Sequence, residues 1–120
     1  MKDPRLAGME AKFAELIWQH APVGSGQLVA LCQQAFDWKK STTYTMLKRL
    51  CERGIFENSG GTVTVRISKQ DFHAMQGETL IAESFGGSLP RFLAAFTRRH
   101  RLSEQEIDEL QRLIDQHREE

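Results

Sequence analysis

Residues 38–49 read Trp-Lys-Lys-Ser-Thr-Thr-Tyr-Thr-Met-Leu-Lys-Arg, a run of hydroxyl-bearing side chains from Ser41 to Thr45 flanked on both sides by cations. Hydroxyls donate or accept hydrogen bonds toward phosphate oxygens and base edges, and Lys and Arg neutralise phosphates or reach guanine acceptors. Lys39, Lys40, Ser41 and Lys48, joined by Arg66 further on, are the candidate phosphate contacts. Thr42, Tyr44, Thr45 and Arg49 are the candidate base contacts, with Arg49 open to pairing instead with Glu52 or Asp37. The competing reading of the same stretch is a solvated, solubilising helix face.

Little else in the chain offers chemistry. Cys32 and Cys51 are too few and too far apart for a disulfide framework or a zinc ribbon, and read as small buried hydrophobes in a reducing cytoplasm. His20, His73, His100 and His117 lack metal-ligand spacing, so neither a metal nor a cofactor is expected. Arg98-Arg99-His100-Arg101 reads as a cationic cluster offsetting a helix dipole at its C-terminal end, with an anionic effector as the alternative. With no nucleophile–base constellation and no phosphate-binding glycine loop, an enzyme is not expected. No apolar run reaches membrane-spanning length, and the N-terminal stretch carries no apolar signal-peptide core.

The elements that must position the basic stretch follow from periodicity. Met9, Phe13, Leu16, Ile17 and His20 mark a first amphipathic helix, closed by Ala21-Pro22-Val23-Gly24. Ser25 is the expected N-cap of a second helix that turns Leu28, Val29, Leu31, Cys32 and Phe36 toward a core. A third helix runs from about Lys40 to Arg53, closed by Gly54. At 100° per residue, Thr43, Met46, Leu47, Leu50 and Cys51 share one side of it, and Ser41, Thr45, Lys48, Arg49 and Glu52 the other. The period then changes. Residues 55–59 and 62–67 read as two strands around Gly60-Gly61, with Val63, Val65 and Ile67 on the buried face. Ser68 and Asp71 open a fourth helix reaching about Phe85, Ser88 caps a fifth to about Arg99, and Ser103-Glu-Gln-Glu106 is a capping box for a last one.

Three helices followed by a hairpin give a mainly α fold with a small β-hairpin: a winged helix-turn-helix over 1–67, then a helical segment over 68–120. Net charge is zero, but it is unevenly placed. Six cations face two anions between Trp38 and Arg66, and local charge governs a meeting with a polyanion. The helical segment has the opposite surplus. Its apolar side chains, among them Phe85, Leu89, Phe92, Leu93, Phe96, Ile107, Leu110, Leu113 and Ile114, outnumber what three short helices can bury alone. A homodimer would cover them.

These residues resemble the penicillinase-repressor family of bacterial transcriptional regulators, the BlaI/MecI type. That family's N-terminal pattern appears as Glu10, Phe13-Ala14 and Ile17-Trp18, and its reading-helix pattern as Trp38, Thr42, Thr43, Thr45, Met46-Leu47, Arg49-Leu50 and Gly54. Phe85-Gly86-Gly87-Ser88 and Leu102 to Ile107 with Glu109-Leu110 are similar to its C-terminal dimerisation segment. The resemblance implies a homodimeric repressor that lays its third helix in the major groove of each half of a palindromic double-stranded operator. Resistance-type members are inactivated by proteolysis at an Asn-Phe bond, where this chain has Ala95-Phe96; copper-responsive members carry Cys-x-Cys motifs, and no cysteine follows Cys51 here. An inducing protease or a small effector is left open as a partner. The alternative function is a winged-helix protein-interaction module without DNA binding, which the neutral net charge and the sparse wing favour.

Overall fold

In the computed structural model, which describes Leu6 and residues 8–120, helix α1 (Met9–His20) buries Phe13, Ala14 and Ile17 on the face the sequence marks as apolar. The chain then enters a two-residue strand β1 (Val23–Gly24) and passes directly into α2 (Ser25–Phe36), which buries Leu28 and Cys32. Gly24, not the expected Ser25, is the N-cap. Pairing with Thr62 carries the extended backbone to Gly24, and helical geometry begins at Ser25, one residue earlier than a Ser25 cap would place it; the Gly24 N–H donates to Gln27 Oε1 at 3.1 Å. Asp37 closes α2 in the left-handed region at φ 57°. Trp38 packs its ring on both Phe13 and Phe36, with centroids 5.2 and 5.0 Å away, and so fixes where the next helix begins.

Helix α3 (Lys40–Glu52) buries Thr43, Leu47 and Leu50, spaced by four and three. Its end is a Schellman motif: Gly54 at φ 80° donates to the Cys51 carbonyl at 2.9 Å, and Ile55 to the Leu50 carbonyl at 3.2 Å. Only glycine adopts that left-handed position without strain. Strands β2 (Phe56–Ser59) and β3 (Thr62–Val65) follow, joined by Gly60 and Gly61 with φ of 59° and 86°, the primed turn that matches strand twist. The antiparallel sheet has the order β1-β3-β2. Its third strand, β1, was not expected, because two residues are too few for an alternation to be read.

The expected inward face of β3 is only partly buried. Val63 is fully buried and Ile67 half-buried, but Val65 is 41 % exposed. Val65 lies beyond the two residues that pair with β1, beside Trp18 and Ser68 at a shallow surface cleft. Helix α4 (Lys69–Ser84) starts as expected, with Ser68 Oγ accepting the Asp71 N–H at 3.0 Å. Phe72 of α4 is buried with the residues of α1, α2, α3 and the sheet in one cluster. Trp18 secures it, its ring 5.6 Å from Phe72 and its indole N–H donating to the Ile67 carbonyl at 3.1 Å.

Two compact units divide the chain, one ending at Thr79 and the other spanning Leu80–Glu120, so the division falls inside α4. Ser68, the expected start of the second part, is the residue that caps α4. The second unit holds the end of α4, then α5 (Leu89–Arg99) and α6 (Glu104–Arg118). Both start as the sequence indicates: Ser88 Oγ accepts the Arg91 N–H, and Ser103 and Glu106 form a reciprocal capping box.

Thr43 carries a cost. It is 1 % exposed, and its hydroxyl has no hydrogen-bond partner beyond a weak approach to the Cys32 thiol. Leaving a buried hydroxyl unsatisfied costs about 1–3 kcal/mol. Thr43→Val keeps the branched shape and removes the hydroxyl, and should raise unfolding free energy by about 1 kcal/mol in urea titrations; a loss of stability would mean that the Thr43 hydroxyl is engaged.

Candidate nucleic-acid interface

With Thr43, Leu47 and Leu50 buried, the opposite face of α3 must meet solvent. Lys39, Lys40, Ser41, Thr45, Lys48 and Arg49 are exposed, Tyr44 is at 37 %, and Thr42 is half-buried. The structure therefore brings eight of the nine expected contact residues together on one helix and its N-cap. Arg66 stands apart, beyond the end of β3.

The charges on α3 are uncommitted. Among the described residues Lys39, Lys40 and Lys48 form no ion pair, and Arg49 pairs with neither Glu52 nor Asp37; its guanidinium lies 3.7 Å from the Met46 sulfur. Three cations outside this face are engaged. Arg53 bridges to Glu10 at 3.1 Å, Lys69 to Glu15 at 2.6 Å, and Arg66 to Glu57 at 3.3 Å. The last pair is solvent-exposed and cross-strand, so it is weak and exchangeable.

The hydroxyls differ from one another. Thr45 Oγ1 donates to the Ser41 carbonyl at 2.9 Å, leaving its lone pairs outward. The Tyr44 hydroxyl donates to Ser25 Oγ at 3.2 Å. Ser25 was absent from the candidate residues, since its proximity to α3 is a tertiary fact with no mark in the local sequence. Beneath the face lie the two free thiols, Cys32 buried and Cys51 half-buried. Burial pushes the Cys32 thiol above its ordinary value of 9.0, with the Thr43 hydroxyl opposing. Burial also raises Cys51, helped by the Glu57 charge and opposed by a backbone hydrogen bond at Asn58.

The second unit presents a different surface. No residue of α5 or α6 is buried, and Leu89, Phe96, Ile107, Leu113 and Ile114 are 40–63 % exposed. Phe85, Phe92, Leu93 and Leu110 are half-buried. An open cleft of about 370 Å³ runs between Phe92, Leu93 and Phe96 of α5 and Leu110 and Leu113 of α6. Among the described residues no group of three His, Cys, Asp or Glu could hold a metal ion, and no helix is long and apolar enough to cross a membrane.

A helix pair joined by a turn, a three-stranded wing and a basic, hydroxyl-rich exposed face on the second helix of the pair define a winged helix-turn-helix regulator. The penicillinase repressor family matches residues 6–116, and the chain belongs to it. It is 24 % identical over 121 residues to the penicillinase repressor of Bacillus licheniformis, covering 98 % of this chain and 94 % of that one. An uncharacterised 16.5 kDa protein of Latilactobacillus sakei, from the 3′ region of ptsI, is 28 % identical over 109 residues, covering 88 % and 75 %. The solution structure of monomeric Bacillus licheniformis BlaI with the blaP half-operator is 25 % identical with a TM-score of 0.49, covering 59 % of this chain and 93 % of that one.

The raised thiol values make a pH prediction. Both cysteines should be alkylated by iodoacetamide slowly at neutral pH, because the thiolate is the reactive form. A folded value above the unfolded one favours the protonated native state, so this contribution to stability is whole below pH 9.0 and is lost as pH rises through the folded values. Fast labelling of the folded chain at pH 7 would contradict it.

Proposed function

We propose that the chain is a sequence-specific DNA-binding transcriptional repressor that acts as a homodimer on a palindromic operator. The observation that carries this is the exposed face of α3, where four cations stand without carboxylate partners among the described residues while the opposite face is locked into the core. Unpaired Lys and Arg can release counterions from phosphates with no internal ion pair to break first. Family membership supports the same reading.

Lys39, Lys40, Ser41 and Lys48 are assigned to phosphates, and Thr42, Thr45 and Arg49 to base edges, with the reading helix in the major groove. Arg66 serves as a phosphate contact once it leaves Glu57, an exchange that a screened surface pair allows. The exposed apolar side chains of α5 and α6 face a second copy, whose matching surface would fill the cleft between them. A DNA partner and two free thiols fit a cytoplasmic location. The wing's internal ion pair favours the second reading, a winged-helix module that binds protein and not DNA. A gel shift on the DNA upstream of the chain's own coding sequence, at stated salt, separates the two.

Lys48→Ala should weaken binding to operator and random duplex alike, and lower the log–log salt slope by about 0.9. An unchanged slope would remove Lys48 from the interface. Leu113→Glu, at a position 63 % exposed, should convert a sedimenting dimer to a monomer with unchanged helix content. A wild-type chain that sediments as a monomer at micromolar concentration would overturn the dimer.

A further inference from the structure

Ser25 joins three elements. Its N–H donates to the Gly61 carbonyl in the wing turn at 2.8 Å, one step beyond the β1–β3 pairs Val23↔Val63 and Gly24↔Thr62. Its backbone is also the first residue of α2, and its hydroxyl accepts from Tyr44 of α3 at 3.2 Å. The Ser25 backbone is therefore fixed relative to the wing, and among the described residues the bond from its hydroxyl to the reading helix runs through the Tyr44 phenol.

We propose that Ser25 and Tyr44 form a positioning latch, in which Tyr44 holds the reading helix against the start of α2 and the wing turn and supports operator affinity through Ser25 instead of donating its hydroxyl to a base. The inference rests on the DNA-binding reading above. Its geometry favours that role. A tyrosine ring has only two side-chain torsions to restrain, so a single bond at its tip fixes its direction at low entropic cost. Thr43, immediately before it, is buried, so the helix backbone at Tyr44 is already held from the other side. A hydrogen bond at 3.2 Å between half-exposed hydroxyls is long, which sets a modest scale of about two- to fivefold in affinity.

The test uses the full chain and a duplex selected by the wild type from a random library. Ser25→Ala and Tyr44→Phe should each weaken binding by about two- to fivefold, and the double variant should lose no more than the weaker single. Ser25→Thr, which keeps the hydroxyl, should restore wild-type affinity. Tyr44 is the only tyrosine in the chain, so the tyrosine doublet in ultraviolet resonance Raman reports its hydroxyl alone. The doublet should read as a hydrogen-bond donor in the wild type, shift in Ser25→Ala and return in Ser25→Thr. Additive affinity losses, singles indistinguishable from wild type, no rescue by Ser25→Thr or a doublet unmoved by Ser25→Ala would each overturn the latch. A wild type that selects no duplex overturns the DNA reading, and the latch's role with it, while the doublet still shows whether the two hydroxyls are bonded.

Discussion

The rotation of α3 about its own axis is the constraint on which the rest depends. Thr43, Leu47 and Leu50 are the only fully buried positions on that helix, and Leu47 and Leu50 share one buried cluster with Phe13 and Ile17 of α1 and Leu28 and Cys32 of α2. A turn of the helix by one residue, 100°, would bring Tyr44 and Lys48 into that cluster, and a lone ammonium cannot be desolvated there without a partner. Thr43 shows how firmly the rotation is held, since its hydroxyl stays buried with no sound partner. The cationic and hydroxyl-bearing face points outward because the apolar stripe leaves it no alternative.

The pairing of charges follows the same division. Arg53 and Lys69 use Glu10 and Glu15, both on α1, to tie the end of α3 and the start of α4 to the first helix. Their worth is geometric more than energetic, since pairs with this much solvent access stabilise by less than about 1 kcal/mol. The cations of Lys39 to Arg49 have no such duty. A chain with zero net charge can thus carry a local basic face, and it is the local field that a polyanion meets.

How much of this was legible in sequence depended on range. The helix boundaries of α1, α5 and α6, the Schellman end at Gly54 and the caps at Ser68, Ser88 and Ser103 are local, and each was readable from a few adjacent residues. The wheel of α3 was readable too, down to the placement of Thr43 on the core side. What escaped was non-local. β1 exists only because β3 pairs with it, that pairing carries extended backbone to Gly24 so that Ser25 stands inside α2, and Val65 is exposed although it alternates with the buried Val63. The Arg66–Glu57 pair and the Ser25–Tyr44 bond join residues 9 and 19 positions apart, beyond any periodicity.

The two units divide the burden. The first completes its own core, whereas α5 and α6 bury nothing fully and leave Leu89, Leu113 and Ile114 at least half exposed. Such a surface suits a part whose folding is finished by a second copy. The most direct test of the central claim is amide hydrogen exchange of the full chain with and without a selected duplex. Added protection is expected to concentrate on residues 39–49, with less at the wing and none that depends on DNA contact in α6. Protection confined to residues 80–120, or none anywhere at saturating duplex, would contradict it.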